Sequence, residues 1–185
     1  MSDFYNDIGD ENRAPGVFRR GADDGWRMGL LMSAIFLAAA YSAQVPLLGL
    51  LSLLLMIAVP VVAYLWLRRD WLKWPRMRFF SAAWMQGICL FFFGSLILAL
   101  VMFVFMKYIQ PDFIDDSVHM AIDAYRTLGS PEALQMADLL QQMTDKHLLP
   151  SAISLSVSMI WSVTFTGSIL SMVLTFIIKL TTRNK

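Results

Sequence analysis

Charge is scarce in this chain, and cysteine scarcer still. Only 16% of its 185 residues are charged, where an average soluble domain carries about a quarter. The single cysteine, Cys89, excludes an intramolecular disulfide and a thiolate metal cluster. A formal net charge of +1 with no basic stripe argues against a nucleic-acid binder. No nucleophile, base and orienting acid stand at a recognisable spacing, and no Gly-rich phosphate loop is present. The sequence therefore predicts no catalytic residue, no cofactor, no resident metal and no enzyme. The first 26 residues, "MSDFYNDIGDENRAPGVFRRGADDGW", lack the basic n-region of a secretory signal, since six acids stand there against three arginines.

What is abundant is apolar surface, at 57% of residues. Four stretches contain no Asp, Glu, Lys, Arg or His: Met28 to Gln44, Val45 to Leu67, Phe79 to Met106 and Ser151 to Ile178. Crossing a hydrocarbon core takes roughly 20 apolar residues, and one mid-span charge would cost about 2.5 to 3.5 kcal/mol on an insertion scale. Their complete absence from all four stretches predicts four membrane spans. The first two are divided only by "SAQVPL", where Pro46, which lacks an N–H, suits a tight turn.

The remaining charges are sorted by sign. "RRDWLKWPRMR" carries Arg68, Arg69, Lys73, Arg76 and Arg78, the C-terminal "KLTTRNK" adds three basic residues, and Arg19, Arg20 and Arg27 flank the first span. These clusters share one side only if Met28 to Leu67 crosses twice, which by the positive-inside rule puts both termini in the cytoplasm. Lys107 to Pro150, with seven acids against three bases, then lies outside. The expected organisation is a cytoplasmic polar tail over 1–26, a transmembrane helical hairpin over 27–67 and a basic cytoplasmic loop over 68–78. A third transmembrane helix follows over 79–106, then an extracytoplasmic helical segment over 107–150, a fourth transmembrane helix over 151–179 and a cytoplasmic tail over 180–185. The fold class is all-α, an integral membrane four-helix bundle with a small extracytoplasmic helical hairpin between the third and fourth spans.

That hairpin is punctuated in the sequence. Asp115 or Asp116 can cap a helix whose apolar face is Ile114, Val118, Ala121, Ile122, Tyr125 and Leu128, with Gly129 placed to end it. Ser130 can cap a second helix beginning at Pro131, with Met136, Leu139, Leu140 and Met143 as its apolar face.

The order of these parts, the "QG" at Gln86 and Gly87, "YIQPDFI" at Tyr108 to Ile114 and the small-residue pattern of the last span resemble an uncharacterised bacterial membrane family, domain of unknown function 4199, over roughly Trp26 to Lys179. The resemblance implies an inner-membrane protein of about four spans. It brings no established activity and no functional residues.

The candidate sites are few. In the last span Ser154, Ser158, Ser162 and Thr166 stand four apart as one stripe, and Gly167, Ser171 and Thr175 continue as a second. Small and hydroxyl residues so spaced let helices in lipid approach closely, and the third span offers Ala83, Gly87 and Gly94 as matching positions. Packing is the first reading of this stripe. The second is a polar lining for an ion, a solute or a lipid headgroup, with Gln86 as the one strongly polar side chain deep in a span. Arg68, Arg69, Lys73, Arg76 and Arg78 are candidate contacts for anionic lipid. Outside, Asp115, His119 and Asp123 share a helix face that could ligate a divalent metal, and Met120, Met136, Met143 and His147 raise copper(I). A solvated face and an apolar face explain them more simply. The expected partners are the bilayer and either a membrane protein or a second copy of the chain. The expected role is a non-catalytic scaffold or accessory subunit, the alternative being a small transporter, channel or lipid-handling protein.

Overall fold

The computed structural model describes residues 16–42, 44–74, 79–146 and 148–183. Among them no strand occurs, and the helices are α1 (Val17–Ala40), α2 (Pro46–Lys73), α3 (Phe80–Val104), α4 (Phe113–Leu128), α5 (Pro131–Asp145) and α6 (Ala152–Arg183). A π-helical turn at Phe105–Ile109 extends α3. Three of these segments are long and apolar enough to cross a membrane: Pro46–Lys73, Phe80–Ile109 and Ala152–Thr182, of 28, 30 and 31 residues. Large apolar side chains stay uncovered along them, as at Leu47, Leu53, Met56 and Ile57 of α2 and Trp161, Phe165 and Phe176 of α6. A helix that is apolar all round belongs in lipid or a large core, and the chain is a membrane protein.

The first helix departs from expectation. The polar stretch read as tail is helical from Val17 onward, and α1 is not among the three long apolar segments. Its front half carries Arg19, Arg20, Asp23, Asp24 and Arg27, and its apolar part from Met28 to Ala40 rises only about 20 Å. The basic loop also begins later than expected: Arg68, Arg69 and Lys73 belong to α2, while Arg76 and Arg78 lie outside the described residues. So do most of the tail acids and His147.

Between α1 and α2 the chain turns within a few residues. Val45 donates to the Tyr41 carbonyl at 3.1 Å and serves as N-cap, and Pro46 takes the first helical position, where its missing N–H costs nothing. Pro60 sits inside α2 and leaves the Met56 carbonyl without its helical donor.

The chain divides into two compact units. The first takes in α1, α2, α3 up to Leu98 and α6 from Met159, around a core of Met28, Ala63, Leu67, Trp71, Ala83, Leu90, Phe91, Leu174 and Ile178. Small residues set its helix spacing. Gly21, Gly25 and Gly29 recur every four residues along α1 and lie against α3. A Cβ on Gly25 would stand 2.7 Å from that of Phe93, one on Gly29 would stand 2.8 Å from the Gly94 carbonyl oxygen, and one on Gly21 would overlap Cys89. The other side of α3 meets α6 as closely, Gly87 against Ser171 and Phe91 against Gly167. Without a hydrophobic drive between helices in lipid, such close approach is what holds them.

The second unit, Ala99–Ser158, contains α4 and α5, which pack on each other. Gly129, at φ 66°, ends α4 in the left-handed region, and Ser130 Oγ accepts from the Ala133 N–H at 3.2 Å to cap α5. The apolar face expected of α5 is turned differently: Ala133 and Ala137 are buried, while Met136, Leu139 and Met143 are exposed. Alanines at four-residue spacing allow a closer approach than methionine and leucine would.

Candidate functional site

Most of the buried charge of the first unit lies in one group of side chains from three helices. Asp24 follows Gly21 and precedes Gly25 on the packed side of α1, so the geometry that brings α1 against α3 also buries its carboxylate. Arg69 and Asp70 close the last turns of α2, and Gln86 lies in the first third of α3. Asp24 and Asp70 are each 4% exposed and Gln86 1%.

Arg69 bridges the two acids. Its Nη2 donates to Asp24 Oδ2 at 2.8 Å, and its Nε donates to Asp70 Oδ1 at 2.9 Å. Gln86 Nε2 donates to Asp70 Oδ2 at 2.6 Å, and Arg27 approaches Asp24 Oδ1 at 3.9 Å. Every carboxylate oxygen of the pair therefore faces a donor or a cation. Hydrogen bonds to charged groups contribute about 1.5 to 3 kcal/mol each, and here they join α1 to α2 and α2 to α3. Burial pushes the Asp24 carboxyl above its ordinary range, against the opposing pull of Arg69, and the neighbouring Asp70 charge pushes the same way as burial.

Arg20, one turn before Asp24, is treated differently. It is 7% exposed, its Nε is buried without a partner, and its guanidinium lies 4.3 Å over the Trp74 ring. Burial lowers its affinity for its proton from the ordinary value, with Asp70 opposing.

The stripe of the last span splits between two faces. Ser154, Ser158, Ser162 and Thr166 are exposed, whereas Gly167, Ser171 and Thr175 are buried, because Gly167 directly follows Thr166 and so starts a second row about 100° round the helix from the first. The hydroxyls of Ser171 and Thr175 have no hydrogen-bond partner among the described residues. Trp84 Nε1 donates to the Ser168 carbonyl at 3.1 Å, and Ser95 Oγ stands 3.4 Å from Thr164 Oγ1, so α3 and α6 are also joined by polar contacts. Of the matching positions on α3, Gly87 meets α6 and Ala83 lies in the core with Leu174 and Ile178. Gly94 meets α1 instead, since a Cβ there would stand 3.3 Å from the Gly25 carbonyl oxygen.

In the second unit Asp115 and His119 line an open cavity of about 460 Å³ with Thr144 and Leu149. Asp123 does not join them there, and among the described residues no three His, Cys, Asp or Glu side chains are grouped to hold a metal.

Sequence reasoning placed Gln86 but missed Asp24, Asp70 and Arg20 as partners. The signal was the row Gly21, Gly25, Gly29, whose four-residue period runs through the polar stretch and marks it as a packed helix face.

A family model described as a protein of unknown function, DUF4199, matches residues 24–179. No curated protein and no solved structure matches the chain.

Proposed function

The chain belongs to the DUF4199 family of proteins of unknown function, and from this premise we propose that it is a non-catalytic scaffold or accessory subunit of a membrane complex. In this reading it resides in the inner, cytoplasmic membrane, crosses four times and keeps both termini in the cytoplasm. The observation that carries the scaffold reading is the closure of the two buried carboxylates on groups of neighbouring helices. Arg69 holds Asp24 and Asp70, and Gln86 completes Asp70, so the polar groups fasten helices instead of facing a passage. Transport sites in membranes leave ionisable groups or broken helices directed at a pathway.

The fourth crossing is α1. The Gly21, Gly25 and Gly29 row and the Asp24 to Arg69 bond attach it to α3 and α2, and its part from Met28 to Ala40 continues into the turn before Pro46. Three positive residues at its front and the basic end of α2 then share the cytoplasmic side, as the positive-inside rule requires. The exposed apolar flanks of α2 and α6 are available to lipid and to a partner's helices.

Cross-linking in native membranes followed by mass spectrometry tests the role. A reproducible membrane-protein partner or a homodimer is expected, and a strictly monomeric protein without partners would refute it.

A second reading, a small transporter, channel or lipid-handling protein, draws on the buried and unpartnered hydroxyls of Ser171 and Thr175. A cysteine scan of residues 154–175 separates the two. Helical-period labelling of deep positions by a membrane-impermeant reagent would favour the path, and uniform protection the packed seam.

A further inference from the structure

Buried cations in proteins are paired, because an isolated one loses its hydration with nothing in exchange. Arg20 breaks that rule. It is only 7% exposed, yet it makes no hydrogen bond or ion pair among the described residues, and its guanidinium lies 4.3 Å over the face of Trp74.

The two buried acids at this end are bonded to other groups. Asp24 faces Arg69 and Arg27, and Asp70 faces Arg69 and Gln86. A second cation is drawn to the same indole, with Lys73 Nζ 5.4 Å from the Trp74 ring centroid. Two positive groups are therefore held at one aromatic ring, each without a bonded carboxylate among the described residues. The arrangement calls for an anion.

We propose that Arg20, Lys73 and Trp74 form a site for a phosphate group, that of an anionic phospholipid headgroup at the membrane surface. The guanidinium presents a planar fork of donors that matches phosphate geometry. Lys73 is exposed and adds a mobile point charge at the rim. Trp74 stands where an amphipathic ring settles at headgroup level, and Arg20 lies in the first turn of α1, at the positive pole of that helix. Arg69, the most obvious basic residue of the segment, is not part of this site because both acids already hold it. The site requires that this end of the first unit lie at the bilayer surface, and it stands apart from the question of a protein partner, which the cross-linking experiment decides separately.

The test is thermal unfolding of the full-length protein in a neutral detergent, with phosphatidylglycerol or phosphatidylcholine added at equal mole fraction, and with inorganic phosphate alone in a third arm. Ligands that bind only the native state raise its unfolding midpoint. Phosphatidylglycerol should raise it by about 3 °C or more, and phosphatidylcholine should not. The rise should be largely lost in Arg20→Gln, reduced in Lys73→Gln and kept in Arg19→Gln, whose side chain is exposed. Should Arg20→Gln not fold, the exposed Lys73 variant still decides. A rise with inorganic phosphate alone that vanishes in Arg20→Gln would support the phosphate site and assign it to a soluble phosphate. Equal rises with the two lipids and none with phosphate, or a phosphatidylglycerol effect unchanged in both variants, would overturn the proposal.

Discussion

Asp24 of α1 and Arg69 of α2, 45 residues apart in the chain, meet through a hydrogen bond of 2.8 Å, with the carboxylate buried and the guanidinium half-exposed. The bond reaches across the apolar part of α1, the turn and most of α2. It fastens the front of α1, which is not among the three long apolar segments, to the last turns of α2. Arg69 commits its Nε to Asp70 at the same time, so one side chain neutralises two buried acids.

The two ends of this bond should respond unequally to mutation. Removing Arg69 leaves both carboxylates buried without their shared partner, whereas removing the Asp24 charge leaves Arg69 with Asp70 and with solvent. Arg69→Met should lower stability by about 2 to 3 kcal/mol, the range for lost charge-assisted hydrogen bonds, and Asp24→Asn by clearly less. Unfolding in mixed detergent micelles with increasing SDS measures both, and equal losses would argue against a shared clasp.

The effect of pH follows from the direction of the Asp24 shift. Its folded carboxyl lies above the ordinary range, chiefly through burial, so the native state holds this proton more tightly than the unfolded state does. The stabilisation from that linkage is complete below the ordinary carboxylate range and fades as pH rises through the raised folded value. Wild type should therefore lose stability relative to Asp24→Asn as the pH is raised across that window. A relative gain by wild type would show that the pull of Arg69 outweighs burial.

Close packing of α1 on α3 makes a separate prediction. Glycine in a helix interior costs about 1 kcal/mol against alanine, so replacing it should help unless space forbids. At Gly25 the new Cβ would lie 2.7 Å from Phe93 Cβ and 3.1 Å from the Leu90 carbonyl oxygen, and the helices must part. Gly25→Ala should destabilise by about 1 to 3 kcal/mol, as overpacked cores do. Gly49→Ala, with only Ser42 Cβ at 3.4 Å, should be neutral or stabilising in the same SDS titration.

Some of this was legible in the sequence, and the rest was hidden for physical reasons. The three long spans, the turn at Pro46 and the junction at Gly129 and Ser130 depend on local signals: unbroken apolar runs, a missing N–H, a left-handed glycine and a capping hydroxyl. The start of α1 at Val17 was obscured because Asp23, Asp24 and the arginines read as solvated until a partner is known for them. Asp70 was hidden in the same way, as the lone acid of a basic segment whose charges read as surface charges. The stripe of the last span could be seen, but its division into an exposed row at Ser154 to Thr166 and a buried row at Gly167 to Thr175 depends on which side α3 occupies. The buried alanine face of α5 was missed because a hydrophobic pattern favours large residues, while close helix pairs favour small ones.

The central proposal is a scaffold in which Arg69 and Gln86 hold the buried carboxylates of Asp24 and Asp70 as fasteners between helices. Replacing a buried polar cluster by apolar residues of similar size is often neutral for stability, so a variant carrying Asp24→Leu, Arg69→Met, Asp70→Leu and Gln86→Leu separates structure from activity. Cross-linked in native membranes beside wild type, this folded variant should recover the same partner or homodimer in similar yield. A folded variant that loses the partner, or a wild-type protein that has none, would contradict the account.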